Sequence, residues 1–471
     1  MTRGSEPTPF RAWRSPIGPW QLLIPVAAGF LLAIWGCGLM SVRQVPDSPS
    51  YLNYPLGSLD AALRSQRPPG YPIFLACVVS TLGLAMVPLV QWSLHLGASL
   101  GLANELSRWG TVPWRCWGVA AAIAIGCTAT ANAPIVATDA PAASLGVLTA
   151  MLLLRWARRG GCPLDGAAVA LAALGAIAMR PAYLFLIPWV AIAGPVLWTM
   201  ARGLERGVST NRSAGRAIFW TIWPVMMIVI PLLMWAALRG RLVGDPSLLP
   251  FGHQNLAGLT IQWVSDEELL AAPGKSGELA AEIIRGRKRF LESRPPEYVR
   301  ADPRATMTIE SRWDDYTWHV VVPAADRLYP DDTIAAHHAI RDLNRDLLKR
   351  FPLRYFRWLL LGARRAAWGI AADLTMHPPF LAAGILMLIW SLWRAITGRK
   401  HAAPRVDLGL DALGVIAITY AASSLALVIA TSPPIGRFAD AAAIFIPACL
   451  AGWAIERVTR PADSFESADS P

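Results

Sequence analysis

The feature that most constrains this chain is a set of long segments without a charged residue: 20–40, 181–201, 217–238 and 412–436. A helix rises about 1.5 Å per residue, so about 20 apolar residues cross a hydrocarbon core. Hydrocarbon offers no partner for backbone N–H and C=O groups, which leaves helices and closed barrels as the only crossing structures. The segments are continuously apolar rather than alternating, so helices are expected. Charged residues make up 16% of the 471 positions, against about 25% in a soluble domain, and the deficit is concentrated in these segments. The pattern predicts an all-α polytopic membrane protein with about ten crossings, at 20–40, 71–104, 116–138, 140–154, 166–179, 181–200, 217–238, 378–393, 412–430 and 438–455.

Charge sets the expected orientation. The net charge is +11, but no aromatic-basic recognition motif accompanies it, so nucleic acid is not an expected partner. The basic residues instead flank apolar segments, in clusters at Arg3/Arg11/Arg14, Arg108/Arg115, Arg155/Arg158/Arg159, Arg202/Arg206/Arg212/Arg216, Arg394/Arg399/Lys400/Arg405 and Arg457/Arg460. Residues 71–104 are too long for one straight helix, are broken by Pro88, and suit either a hairpin or an odd number of crossings; with an odd number, every cluster falls on one side, which the positive-inside rule identifies as the cytoplasm. The basic N-terminus ahead of 20–40 predicts an uncleaved signal-anchor helix.

Residues 1–238 then form an N-terminal membrane part with a first external loop at 41–70, and 239–377 form a large external segment. Residues 378–471 supply the last membrane helices and a short cytoplasmic tail. Within the large segment, Ile340, Leu343, Leu347 and Phe351 recur at helical spacing, and His337 and His338 are expected on the polar, solvated side of that helix. Residues 354–372 read as a basic amphipathic stretch lying along the membrane surface. Asp314 and Asp315, near Trp313 and Trp318, suit a solvated acidic loop or a contact to an acceptor sugar. The six cysteines form no CxxC pair, so neither zinc nor redox chemistry is indicated.

Ionisable residues at membrane depth are costly, so each is a functional candidate. Asp47, Arg67, Asp139, Arg180 and Arg437 all map to the outer ends of helices or to the first external loop. His253 opens the large external segment near them. Each also suits a plainer role. Asp47 in its Pro/Ser loop suits an Asx-turn, and Asp139 before Ala140-Pro141 suits a helix start. The arginines suit interfacial anchors, and His253 a solvated loop.

Val45-Pro46-Asp47-Ser48-Pro49-Ser50-Tyr51, followed by Arg67-Pro68-Pro69-Gly70-Tyr71-Pro72, resembles the lipid-linked-sugar glycosyltransferases of the GT-C fold. The protein mannosyltransferases and the lipid A aminoarabinose transferases belong there. Ala137-Thr138-Asp139-Ala140-Pro141 resembles that family's second acidic site, and Met179-Arg180-Pro181 its Arg-Pro breaks. Ile435-Gly436-Arg437-Phe438 resembles the Arg-aromatic start of the last helix. The mannosyltransferase loop has paired acidic residues, whereas Asp47 is followed by Ser48.

The resemblance implies a GT-C-like bundle with a large external loop, in a bacterial inner (plasma) membrane, with its active site facing the periplasm. It implies an inverting transferase that uses a polyprenyl-phosphate-linked sugar. Asp47 would be the catalytic base. Asp139 would orient the sugar or acceptor, or help hold a divalent cation through oxygen ligands. Arg67, Tyr71, Arg180, His253 and Arg437 are the candidate substrate- and phosphate-binding residues, since arginine matches phosphate oxygens in a bidentate way. The rival readings are a secondary transporter, whose site would lie near mid-depth, and an enzyme like the O-antigen ligases or polymerases.

Overall fold

The computed structural model describes residues 19–203, 210–300, 306–396 and 407–459, and among them the backbone is helical, with one isolated bridge between Arg43 and Ile135 and no strand. The first part comprises α1 (Pro19–Gly36), α2 (Ser48–Leu52), α3 (Leu59–Arg64), α4 (Gly70–Leu82), α5 (Val87–Arg108), α6 (Pro113–Ala124), α7 (Cys127–Asn132), α8 (Asp139–Arg158), α9 (Pro163–Met179), α10 (Leu186–Gly203) and α11 (Thr210–Val243). The middle part comprises α12 (His253–Thr260), α13 (Asp266–Leu270), α14 (Gly274–Glu292), α15 (Pro296–Arg300), α16 (Thr306–Tyr316), α17 (Val322–Leu328), α18 (Thr333–Arg350) and α19 (Pro352–Met376). The last comprises α20 (Pro378–Ile396), α21 (Leu408–Thr431), α22 (Gly436–Ala442) and α23 (Ile446–Thr459).

Among the described residues, four helical stretches are long and apolar enough to cross a membrane: Asp139–Arg158, Pro181–Arg202, Ile218–Val243 and Leu408–Thr431. Three bent pairs raise the number to seven if each is one span, and Ala27–Gly36 and Pro163–Met179 are shorter apolar helices. The finer count of about ten is not shown, and two of the expected crossings are not single helices. In 71–104, Gly83 adopts φ +87, which a side chain would resist, and Pro88 suits only the first turn of a new helix. The chain therefore stops α4 and restarts, and the two halves meet at 116°. In 116–138, helix breaks after Ala124 and again after Asn132, and Val136 donates its N–H to the carbonyl of Arg43 (2.9 Å).

The bundle packs on small residues. Ala142, Ala143 and Ala150 of α8 face Ala173 and Ala176 of α9, with Trp156, Trp189, Tyr420 and Phe445 filling the remaining space. Between lipid-exposed helices, close backbone approach and van der Waals packing replace the hydrophobic effect as the driving force. Outward faces stay apolar, with Phe219, Leu233 and Met234 exposed on α11 and Leu386 and Leu388 on α20.

Ion pairs knit one end of this bundle. Arg158 meets Glu105 (2.5 Å), Arg155 meets Asp165 (3.0 Å), and Arg115 bridges Asp407 (2.9 Å) and Glu456 (3.9 Å). Asp407 also caps α21 by accepting from Leu410 N–H and Thr111 Oγ1. Arg108, Arg115, Arg155, Arg158, Arg159 and Arg202, from three of the arginine clusters, thus share the ends of α5, α8 and α10 and the start of α6. Arg3, Arg11, Arg14, Arg206, Arg399, Lys400, Arg405 and Arg460 lie outside the described residues.

The expected large external segment is a helical layer with a core of its own. Ile261, Leu269, Leu279, Ile283, Val320 and Leu343 are buried together there. It is tied back to the bundle at two places. Arg239 at the end of α11 is fully buried and pairs with Asp245 (2.8 Å). On α19, the Tyr355 hydroxyl donates to the carbonyl of Ala430 (2.9 Å) and Trp358 Nε1 to that of Ile429 (2.8 Å), both on α21. The opposite face of α19 exposes Leu353, Phe356, Leu360 and Trp368 beside Arg357 and Arg364, the composition of an interfacial helix.

Candidate functional site

A cavity of about 440 Å³ opens between the bundle and this helical layer, at the end opposite the ion-paired arginines. Asp47, Arg67, Asp139, Arg180, His253 and Arg437 all line it, although up to 390 positions separate them. Local chemistry explains how the first loop arrives there. Ser48 Oγ donates to the carbonyl of Val136 (2.8 Å) and accepts from Val45 N–H (2.9 Å), which fastens the loop to the stretch just before α8. Ser48 is thus a structural clasp.

Asp47 occupies the position before α2, but its side chain caps nothing. Its carboxylate accepts from Arg67 Nη2 (2.7 Å), and about half of its side chain is open to the cavity. Arg67 also donates to the Tyr51 hydroxyl (3.2 Å) and lies over that ring at 4.9 Å. Tyr71 does not line the cavity. It is fully buried behind Tyr51, edge-on at 5.2 Å, and donates to Gln91 Oε1 (3.3 Å), so it supports the wall rather than touching a ligand.

Asp139 is the first residue of α8 and is ion-paired with Arg180. Arg180 ends α9 in an extended conformation (φ −149), as the following Pro181 favours. Its guanidinium also lies 5.3 Å from the Phe438 ring centre. Arg437 is different. It is exposed at the start of α22, stacks on Phe438 at 5.1 Å, and forms no ion pair with a carboxylate among the described residues. Of the cavity's charged side chains, two carboxylates face two guanidiniums, and Arg437 is left as an unbalanced positive charge. Among the described residues, no three or more His, Cys, Asp or Glu side chains converge to hold a metal ion.

The roof of the cavity comes from the helical layer, and sequence reasoning missed most of it. Phe251, Trp313, Trp318 and His337 line it together with His253. The expectation that His337 sits on a solvated face is wrong. It is 1% exposed, because positions 337, 340, 344 and 347 share one helical stripe, and Ile340 and Leu347 pull that stripe inward. That spacing was the available signal. Asp315 turns away from the cavity to pair with Arg294 (3.0 Å) and Tyr298 (3.1 Å).

A histidine–aspartate cluster underlies the roof. The rings of His253 and His337 lie 5.1 Å apart, and His338 Nε2 is 3.5 Å from Asp245. Burial pushes the His337 imidazole down to about 4, with His253, His338 and Arg341 adding to the effect and Asp245 opposing it. Burial lowers His253 as well. The unfolded chain, with histidine near 6.5, therefore binds more protons than the folded one below that pH. The roof is fully stable above about pH 6.5 and loses stability as pH falls toward 4, by about 2 kcal/mol at pH 5. Asp245, whose bonds from Ser247 and Arg239 outweigh its burial, is held well below the usual carboxylate range, so its stabilisation is fully present above about pH 4 and is lost only as pH falls below that. Relative to the intrinsic exchange rate at each pH, we expect the protection of the α18 amides to fall about tenfold or more between pH 7 and pH 5. A His337→Phe variant should lose that dependence, and equal protection at both pH values in the parent would refute it.

Comparison with protein-family models, curated proteins and solved structures finds no match to this chain.

Proposed function

We propose that this protein is an inverting membrane glycosyltransferase that moves a sugar from a polyprenyl-phosphate donor to an acceptor outside the cytoplasm, in a bacterial inner membrane. One observation carries the reading: an unpaired guanidinium and a half-open carboxylate share one roofed cavity, at the end of the helical bundle away from the arginine-rich end. A lipid phosphate sits at interfacial depth, so Arg437 can meet it without crossing hydrocarbon. A transporter keeps its site near mid-depth, whereas these carboxylates sit at helix ends.

In this mechanism Asp47 takes the proton of the acceptor hydroxyl as its oxygen attacks the anomeric carbon. The new C–O bond forms on the face opposite the phosphate, and the old C–O bond breaks with its electron pair going to the phosphate oxygen. Arg437 stabilises the charge released there. Arg67 holds the base in place, and the Asp139–Arg180 pair orients the sugar. The direct test is transfer of labelled sugar from a panel of polyprenyl-phosphate sugars in membranes containing wild type or Asp47→Asn. Transfer by the wild type alone supports the reading. Uptake of a solute into sealed vesicles with no transfer would replace it by a transporter.

Orientation has its own test. In a background without native cysteines, Lys275→Cys in the roof should react with an impermeant maleimide from the outside of intact cells. Ser107→Cys, exposed at the arginine-rich end, should react only after permeabilisation. The reverse pattern would turn the cavity toward the cytoplasm and end the proposal.

A further inference from the structure

Resting on that reading, we infer that His337 and His253, with Phe251 and Trp318, form the subsite for an uncharged, polyhydroxylated ring, separate from the arginines that take the phosphate. Three observations carry it. First, His337 is 1% exposed, lines the cavity, and neither of its ring nitrogens has a hydrogen-bond partner. A buried polar group left unpaired costs about 1–3 kcal/mol, so an orphan at a cavity wall marks a place where an incoming group restores a bond.

Second, the chemistry of the orphan selects its ligand. A neutral imidazole presents one N–H donor and one lone-pair acceptor. A sugar hydroxyl also donates and accepts, and matches both. A phosphate oxygen only accepts, and would face the lone pair. Asp245, close behind at His338, further disfavours an anion. The cavity is therefore divided, with its unbalanced positive charge at Arg437 on the bundle side and neutral donors and acceptors under the roof.

Third, the same wall presents flat apolar surface. The Phe251 and Trp318 rings are stacked at 6.1 Å with 23° between their planes, and both line the cavity. Aromatic faces cover the C–H side of a pyranose or furanose ring, while neighbouring polar groups meet its hydroxyls. His253, half-buried beside His337, supplies the second such group.

The ring can belong to the donor or to the acceptor, and the experiment separates them. Binding to purified full-length protein in nanodiscs is measured for a bare polyprenyl phosphate, for the same lipid phosphate carrying each of a panel of hexoses and pentoses, and for methyl glycosides added with the bare lipid phosphate. Tighter binding of a glycosylated lipid by about tenfold or more, abolished in His337→Phe and retained in His337→Gln, supports the subsite and assigns it to the donor sugar. Saturable methyl-glycoside binding with the same variant pattern supports it and assigns it to the acceptor. Trp318→Ala, at a partly exposed position, should weaken the same increment if His337→Phe fails to fold. If no sugar-dependent increment exists, or if it survives His337→Phe and Trp318→Ala, the subsite is overturned. Bare lipid-phosphate binding that depends on Arg437 would still uphold the transferase reading, and its absence would remove that reading instead.

Discussion

Asp47→Asn is expected to reduce sugar transfer by about 10²–10⁴-fold, the usual cost of losing a general base. The substitution keeps the shape of the side chain and its ability to accept from Arg67. It removes the charge and the capacity to take a proton. Stability should hardly change, because an ion pair as open as Asp47–Arg67 is worth about 0–1 kcal/mol. The loss should therefore appear in kcat at matched protein level and unchanged thermal stability, with the donor KM within a few-fold of wild type. Turnover equal to wild type would remove Asp47 from the mechanism. A fall in folded protein without a fall in specific activity would assign it to the loop's structure alone.

The second large effect is expected at Arg437. A hydrogen bond between charged groups contributes about 1.5–3 kcal/mol, so Arg437→Ala should raise the donor KM by about 10–100-fold. Arg437→Lys keeps the charge but lacks the planar fork, and should fall between the two. Neither change should unfold the chain, since the side chain is exposed and its recorded contact is with the Phe438 ring. An interfacial anchor would behave differently: Lys would serve as well as Arg, and Ala would lower protein level rather than donor affinity. Donor KM values equal to wild type in both variants would sink the phosphate role.

How much of this was legible in the sequence differs between site and fold. Charge at the edge of apolar segments was enough to pick out Asp47, Arg67, Asp139, Arg180 and Arg437, because a charge tolerated there needs a partner or a ligand. Their pairing into Asp47–Arg67 and Asp139–Arg180 was not legible, since it depends on where α4 and α9 come to rest. Helix boundaries were hidden where apolarity and helix continuity part company. The stretch 116–138 is apolar throughout, yet Gly126 and the non-helical residues ahead of Asp139 break it into pieces of 12 and 6 residues. Tyr71 follows a motif residue and looked like a ligand contact, but a tyrosine at the second position of a packed helix turns toward Gln91 instead. The roof was hidden for a different reason. Its residues lie in a segment rich in polar residues, and only the inward stripe of α18 distinguishes His337 from the partly exposed His338 beside it.

Gly70, the first residue of α4, gives the cavity its gauge. A β-carbon added there would stand 2.6 Å from the backbone carbonyl of Ala178 in α9. The two backbones therefore touch there with no side chain between them. Arg67 lies three residues before this contact and Arg180 two residues after it. The separation of the two carboxylate–guanidinium pairs, and with it the size of any group that can lie between them, is fixed by the absence of a single methyl group.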